Sequence, residues 1–84
     1  MDFKLTPEEE AFRDDVRAFV KENLSPEARK NPGFLANWLK QVREKRWVGF
    51  GWPEEYGGGG GGIMQQVILK DELAKAGAPP LGLS

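Results

Sequence analysis

A run of six glycines at positions 57–62 constrains the fold of this chain more than any other feature of its sequence. Glycine has no side chain to bury and loses more conformational freedom on folding than other residues, so the run is unsuited to the interior of a helix or strand. Together with the residues from position 49 onward, it predicts one long connection. The 84 residues are thereby divided into a long first part and a short last part.

The first part opens with a strong helix-start signal. Thr6 can cap a helix, Pro7 suits its first position, and Glu9 stands where a capping box requires an acidic or amide residue. Apolar residues then recur at helical spacing, with charged residues on the opposite face. The pattern predicts an amphipathic helix over about 7–24, with Phe12, Val16, Phe19, Val20 and Leu24 on its buried face.

A second amphipathic helix is predicted over about 32–47. Ser25 and Pro26 end the first helix, because proline has no backbone N–H, and they can begin a short helical turn. After Pro32 the apolar side chains again follow helical spacing. We expect Gly49 to be the left-handed residue that stops this helix. Its apolar positions are Phe34, Leu35, Trp38, Leu39 and Val42.

The connection 49–62 has aromatic residues in its first half and only glycine in its second half. Large aromatic side chains bury much apolar area, so we expect Phe50, Trp52 and Tyr56 to anchor the first half against the helices. We expect the glycine half to be a flexible link on which nothing packs.

The glycine run also matches the dinucleotide-binding pattern G-x-G-x-x-G, as any six glycines do. That fingerprint requires a preceding strand within a βαβ unit, whereas a Trp-Pro loop precedes the run here. A Walker loop would need Lys and Ser or Thr after the last glycine, where the chain has Ile63 and Met64. The sequence therefore predicts no phosphate site in this loop.

The short last part predicts a third helix over about 63–76. Gly77, followed by two prolines, is its stop signal. The apolar surface of this helix is too wide for one partner helix. Three helices without a strand pattern indicate an all-α fold. The apolar residues of the third helix are Ile63, Met64, Val67, Ile68, Leu69, Leu73, Ala74 and Ala76.

Composition excludes several classes of function. There is no cysteine and no histidine, which removes disulfides, thiolate chemistry, zinc sites built on these residues and nucleophiles activated by histidine. A net charge of −1 gives no reason to expect nucleic acid, and the basic cluster at 43–46 is interpreted as a solvated helix end. No stretch is apolar enough to span a membrane, so a cytoplasmic protein is expected.

The apolar surface exceeds what three short helices can cover among themselves. We therefore expect more polypeptide after Ser84 to cover it. The alternative is a free-standing interaction module, whose third helix and Trp-rich loop dock on a partner protein.

Three groups of residues, in this order, resemble the N-terminal helical domain of acyl-CoA dehydrogenases. Nearly all of the chain takes part in the resemblance, and the Pro-x-x-Tyr-Gly-Gly segment is its most specific part. The groups are Leu5-Thr6-Pro7-Glu8-Glu9 with Phe12 and Arg13; Trp47-Val48-Gly49 with Trp52-Pro53-Glu54-Glu55-Tyr56-Gly57-Gly58; and Asp71-Glu72-Leu73-Ala74 with Gly77-Ala78-Pro79.

The resemblance implies the incomplete first domain, residues 1–84, of an FAD-dependent enzyme that dehydrogenates an acyl-CoA thioester, with antiparallel helices. In that family a glutamate removes the α proton and the flavin N5 accepts the β hydride. The resemblance also implies a homo-oligomer, a dimer or tetramer, with electron-transfer flavoprotein as acceptor. Residues 1–84 would be a structural wall of the flavin and substrate pocket.

No catalytic, cofactor-binding or metal-binding residue is predicted within the chain. The catalytic glutamate and the flavin-binding residues of the family belong to regions after Ser84. The carboxylates that remain as candidates form two pairs, Glu54 with Glu55 and Asp71 with Glu72. We interpret both pairs as solvated or structural.

Overall fold

The computed structural model describes residues 4–56 and 58–81, and Gly57 of the predicted glycine connection lies outside them. Helices account for the regular structure, and no strand occurs in these two ranges, so the predicted all-α class is confirmed. The elements are α1 (Pro7–Asn23), α2 (Pro26–Lys30), α3 (Phe34–Glu44), a 3₁₀ turn (Glu54–Tyr56) and α4 (Ile63–Lys75).

Helix α1 begins at the predicted capping box. The Glu9 N–H donates to Thr6 Oγ1 at 3.2 Å, and the Thr6 N–H donates to Glu9 Oε1 at 2.9 Å. Pro7 occupies the first turn, where its missing N–H costs nothing. The sequence therefore located this start correctly, and Asn23 ends the helix one residue earlier than predicted.

Helix α3 begins later than predicted, at Phe34 instead of about residue 32. The side chain of Asn31 accepts a hydrogen bond from the Gly33 N–H at 2.8 Å, and its carbonyl accepts one from the Phe34 N–H at 2.9 Å. Pro32 therefore lies in a turn organised by Asn31.

The end of α3 corrects our expectation for Gly49. The left-handed residue after the helix is Arg46, with φ of 59°. The Trp47 N–H donates to the Val42 carbonyl at 3.0 Å, and the Arg46 N–H donates to the Arg43 carbonyl at 2.9 Å. These two bonds form a Schellman motif, which also brings Trp47 into the core beside Val42. Gly49 has φ of 66° but acts in the next turn, where its carbonyl accepts from the Trp52 N–H.

Helix α4 ends at Lys75 with the same motif, and here the left-handed residue is the predicted Gly77, with φ of 65°. The Ala78 N–H donates to the Leu73 carbonyl at 3.0 Å, and the Gly77 N–H donates to the Ala74 carbonyl at 3.1 Å. The stop signal read from the sequence is confirmed at this helix.

The core lies between α1, α3 and α4. Trp38, Val16 and Val42 have no exposed surface, and the Phe19 ring packs edge-on against Trp47 with a centroid distance of 4.6 Å. Phe19 also contacts Trp38, at 5.6 Å between ring centroids. The core is completed by Leu24, Leu69 and Leu73.

Helices α1 and α4, which pack against each other, run in the same direction. The Arg29 side chain donates to the carbonyls of Leu24 and Ala76, so α1 and α4 end side by side. At the other end, Leu5 before α1 and Met64 at the start of α4 line the same small cavity, so α4 is parallel to α1. Lys45, just after α3, lies over the Phe19 ring in the C-terminal half of α1.

Arg46 provides a test of the α3 terminus. A side chain in the left-handed conformation costs roughly 1–2 kcal/mol, part of which is offset because glycine is freer in the unfolded chain. We expect Arg46→Gly to raise the free energy of unfolding by about 0.5–1 kcal/mol in urea denaturation.

The matched control is Arg43→Gly, which places the same glycine within the last turn of α3. It should lower the free energy of unfolding by about 1 kcal/mol. Equal destabilisation by the two variants would contradict the assignment of Arg46 to the left-handed position.

Candidate functional site

The glycine connection is packed around one aromatic side chain, Phe50. The Phe50 ring stacks on the Phe12 ring of α1, with centroids 5.5 Å apart and planes inclined by 5°. A Cβ atom added to Gly59 or Gly61 would approach the Phe50 ring to 2.6 Å or 2.4 Å, which is too close for any side chain. Our expectation that nothing packs on the glycine run is therefore wrong.

The backbone amides of the run are engaged within the connection itself. The N–H groups of Gly58, Gly60 and Gly61 donate to the carbonyls of Pro53, Trp52 and Phe50, respectively, at 2.8–3.1 Å. The Gly62 N–H donates to the side chain of Gln65. Free, convergent amides are what a phosphate-binding loop requires. The described glycines of the run, 58–62, do not present them.

The other two aromatic residues of the connection do not anchor it as we expected. Trp52 is 53% exposed and Tyr56 is 76% exposed, beside the 3₁₀ turn. The Trp52 ring instead lies against Gly49, where an added Cβ would come within 2.7 Å of it. Phe50 alone among the three fulfils the expectation.

Two glycine-to-serine variants test this packing. At Gly58 the new side chain would collide with the backbone of Trp52, so we expect Gly58→Ser to lower the free energy of unfolding by about 1–3 kcal/mol. At Gly62 there is room, φ is −70°, and a serine would complete a capping box with Gln65. Gly62→Ser should raise the free energy of unfolding by a few tenths of a kcal/mol.

Urea denaturation of both variants under one set of conditions provides the comparison. Similar small effects at the two positions would show that the run is loose, contrary to the packing described.

The ordered connection forms one side of an apolar groove of about 440 Å³. Helix α4 forms its floor through Leu69 and Leu73, and Gln66 and Lys70 are among its polar lining residues. Ala74 of α4 also lines it. The remaining lining comes from the segment after α3 and from the chain after α4, namely Trp47, Gly49, Phe50, Gly51, Ala78, Pro79, Pro80 and Leu81. An apolar groove with few polar groups is the usual form of a binding site for a ligand or for more polypeptide.

A charged pair joins α1 to α4 away from this groove. Arg17 Nε donates to Glu72 Oε1 at 2.9 Å, and a terminal nitrogen of Arg17 donates to Oε2 at 3.2 Å. Only 10% of the Glu72 side chain is exposed, against 53% for Arg17. The hydrogen bond with Glu72, followed by the attraction between the opposite charges, raises the pKa of the Arg17 guanidinium.

Sequence reasoning missed this pair. Glu72 and Arg17 are 55 positions apart, and neither belongs to a recognisable motif of its own. A signal was present in the position of Glu72, which follows helical spacing with the buried Leu69 and directly precedes Leu73. A carboxylate at such a position is expected to have a basic partner.

The other candidate carboxylates occupy solvent-facing positions. Glu54 and Glu55 are exposed on the 3₁₀ turn. Asp71 is paired with Lys75 at 2.8 Å, one helical turn away, which raises the pKa of the Lys75 ammonium. Within 4–56 and 58–81 no three acidic side chains are gathered as a metal site would require. None of the helices described there is long and apolar enough to cross a bilayer.

The unequal exposure of the two partners predicts unequal effects of their removal. Arg17→Met would leave the buried Glu72 carboxylate without its main partner, whereas Glu72→Leu would leave a half-exposed guanidinium in contact with water. We therefore expect Arg17→Met to lower the melting temperature further than Glu72→Leu, measured by circular dichroism.

Arg43→Met, which removes an exposed arginine from α3, is the control and should leave the melting temperature nearly unchanged. A larger effect of Glu72→Leu than of Arg17→Met would contradict this description of the pair.

Comparison with known proteins agrees with the helical fold. The family model described as "Acyl-CoA dehydrogenase, N-terminal domain" matches residues 6–84. The chain therefore belongs to the acyl-CoA dehydrogenase family, in which it corresponds to the N-terminal helical domain. The resemblance deduced from the sequence motifs is confirmed.

Two relatives show what share of a longer acyl-CoA dehydrogenase this chain corresponds to. Acyl-CoA dehydrogenase FadE26 of Mycobacterium tuberculosis is 33% identical over 89 residues, covering 94% of this chain and 22% of the relative. The probable acyl-CoA dehydrogenase YngJ of Bacillus subtilis is 33% identical over 79 residues, covering 90% of this chain and 21% of the relative. The chain thus spans about a fifth of the length of these relatives.

A solved structure is similar in both fold and sequence. The crystal structure of the ChsE4-ChsE5 complex from Mycobacterium tuberculosis superposes with a TM-score of 0.78 at 35% identity. The match covers 94% of this chain and 21% of the chain in that structure.

Proposed function

We propose that this chain is the N-terminal helical part of an FAD-dependent acyl-CoA dehydrogenase and forms one wall of the flavin and acyl-CoA pocket. The complete enzyme would remove a proton from the carbon α to the thioester and pass a hydride from the β carbon to the flavin. Family membership supports the class of enzyme. The open apolar groove beside α4 supports the role as a wall.

The groove suits a surface that other polypeptide completes. Its floor is made of leucine side chains and its edge of small and aromatic residues. Covering this apolar surface with protein is more favourable than leaving it in contact with water. Closing such a surface with further protein would exclude water from an acyl chain lying against it. The remaining domains of the enzyme are proposed to provide that closure.

The proposed wall contributes no catalytic residue. Abstraction of an α proton needs a carboxylate held within hydrogen-bond reach of the substrate, beside the acceptor of the hydride. Glu72 is occupied by Arg17, Asp71 is paired with Lys75, and Glu54 and Glu55 of the 3₁₀ turn are exposed and do not line the groove. The catalytic base is proposed to lie elsewhere in the enzyme.

The residues described here do not fit the pyrophosphate of FAD. The amides of Gly58, Gly60, Gly61 and Gly62 already have acceptors, so these four glycines offer no cradle for phosphate oxygens. The flavin is proposed to bind mainly to other parts of the enzyme, with this chain contributing apolar surface only.

Assembly into a homo-oligomer, a dimer or a tetramer, is part of the proposal. The similar solved structure is a complex of two proteins, ChsE4 and ChsE5, which supports assembly as a property of such enzymes. Electron-transfer flavoprotein is proposed as the electron acceptor.

The proposal is tested by expressing the complete reading frame that contains these residues and, separately, residues 1–84. The complete protein should purify with a flavin absorption spectrum and reduce an artificial electron acceptor when given an acyl-CoA. Residues 1–84 alone should be colourless and inactive, because they hold neither the base nor a phosphate site.

A complete protein that is colourless and does not oxidise any acyl-CoA would overturn the enzyme assignment. Flavin retained by residues 1–84 alone would overturn the role as a wall. If the reading frame stops after Ser84 and yields a folded, colourless product, the interaction module becomes the better explanation.

A further inference from the structure

Apolar residues lie on nearly every side of α4. Leu69 and Leu73 face the groove, whereas Met64, Val67 and Ile68 line a second, smaller cavity next to α1. Ile63, at the start of the helix, is 82% exposed. A helix with a narrow apolar stripe is oriented by burial of that stripe. The apolar residues of α4 are spread more widely, so apolar burial alone leaves several rotations of the helix about its axis nearly equal in free energy.

The Arg17–Glu72 pair distinguishes these rotations. Its two hydrogen bonds require the planar guanidinium and the carboxylate to meet in one relative orientation. If α4 turned about its axis, the Glu72 carboxylate would either enter the core beside Leu69 and Leu73 or lose its partner. The first outcome buries the carboxylate without compensation, and the second gives up both hydrogen bonds with Arg17.

The neighbouring charges do not offer Glu72 an equivalent partner. Lys75 Nζ lies 3.8 Å from its carboxylate but only 2.8 Å from Asp71, and Arg13 is directed to Asp14 at 3.5 Å. Arg17 is therefore the one cation that holds Glu72 with bidentate geometry among the residues described.

We propose that Arg17 and Glu72 are positioning residues that set the rotation of α4 on α1 and so select the side chains that line the groove. Neither residue lines the groove itself, so the effect of the pair on the lining is transmitted by α4 as a rigid body. The inference concerns the geometry of α4 and stands independently of the reaction that the enzyme catalyses.

The experiment measures which side of α4 is accessible. In the complete protein, Val67→Cys and Ile68→Cys are made separately, and the rate of alkylation at each position is read by peptide mass spectrometry. Each introduced cysteine is the only thiol within residues 1–84, because the 84 residues contain no cysteine. Val67 is 37% exposed and Ile68 is 7% exposed, so position 67 should react roughly tenfold or more faster than position 68.

Both reporters are then placed in the Arg17→Met/Glu72→Leu background, where the pair is replaced by apolar side chains. The protein should still melt cooperatively, since replacing such a pair by apolar residues is often neutral. The two rates should approach each other to within about twofold, because α4 then samples other rotations. The matched control is Val16→Ala, which weakens the core on α1 but keeps the pair, and should preserve the difference between the rates.

Two results would overturn the proposal. The first is a double variant that keeps the original ratio of rates, which would mean that apolar packing alone sets the rotation. The second is a double variant without a cooperative melt, which would mean that the pair supplies stability and not orientation.

Discussion

The stacking of Phe50 on Phe12 is the contact on which the rest of the structure depends. It fixes the connection between α3 and α4 against α1, and the glycine backbone then folds closely around the same ring. Because the connection is held there, α4 starts at a defined place and the groove has a defined side. Gly58, Gly59 and Gly61 are therefore parts of a packed structure and not of a flexible link, and their lack of side chains permits the close approach.

Local signals predicted the parts of the fold that local chemistry decides. The capping box of Thr6 and Glu9 and the stop at Gly77 are each made by neighbouring residues, so they could be recognised from the sequence. The end of α3 could not be recognised from the sequence, because an arginine carries no signal for the left-handed conformation. Arg46 adopts it because the following Trp47 is buried in the core, and this tertiary gain outweighs the local preference.

The candidate site was harder to predict for the same reason. The groove joins side chains from three separate segments, and the Arg17–Glu72 pair joins residues 55 positions apart. The motif resemblance identified the family without either feature. In the structure, apolar burial holds the helices together, whereas we propose that the Arg17–Glu72 pair orients α4 and so determines which side chains line the groove.

Amide hydrogen exchange in the glycine run shows whether this connection is folded around Phe50. We expect the Gly58, Gly60 and Gly61 amides, which donate to carbonyls of the same connection, to exchange far more slowly than they would in an unfolded chain. Replacement of Phe50 by alanine should abolish this protection before the helices lose theirs. If these amides exchange at the unfolded rate in the unsubstituted protein, the connection is not folded around Phe50.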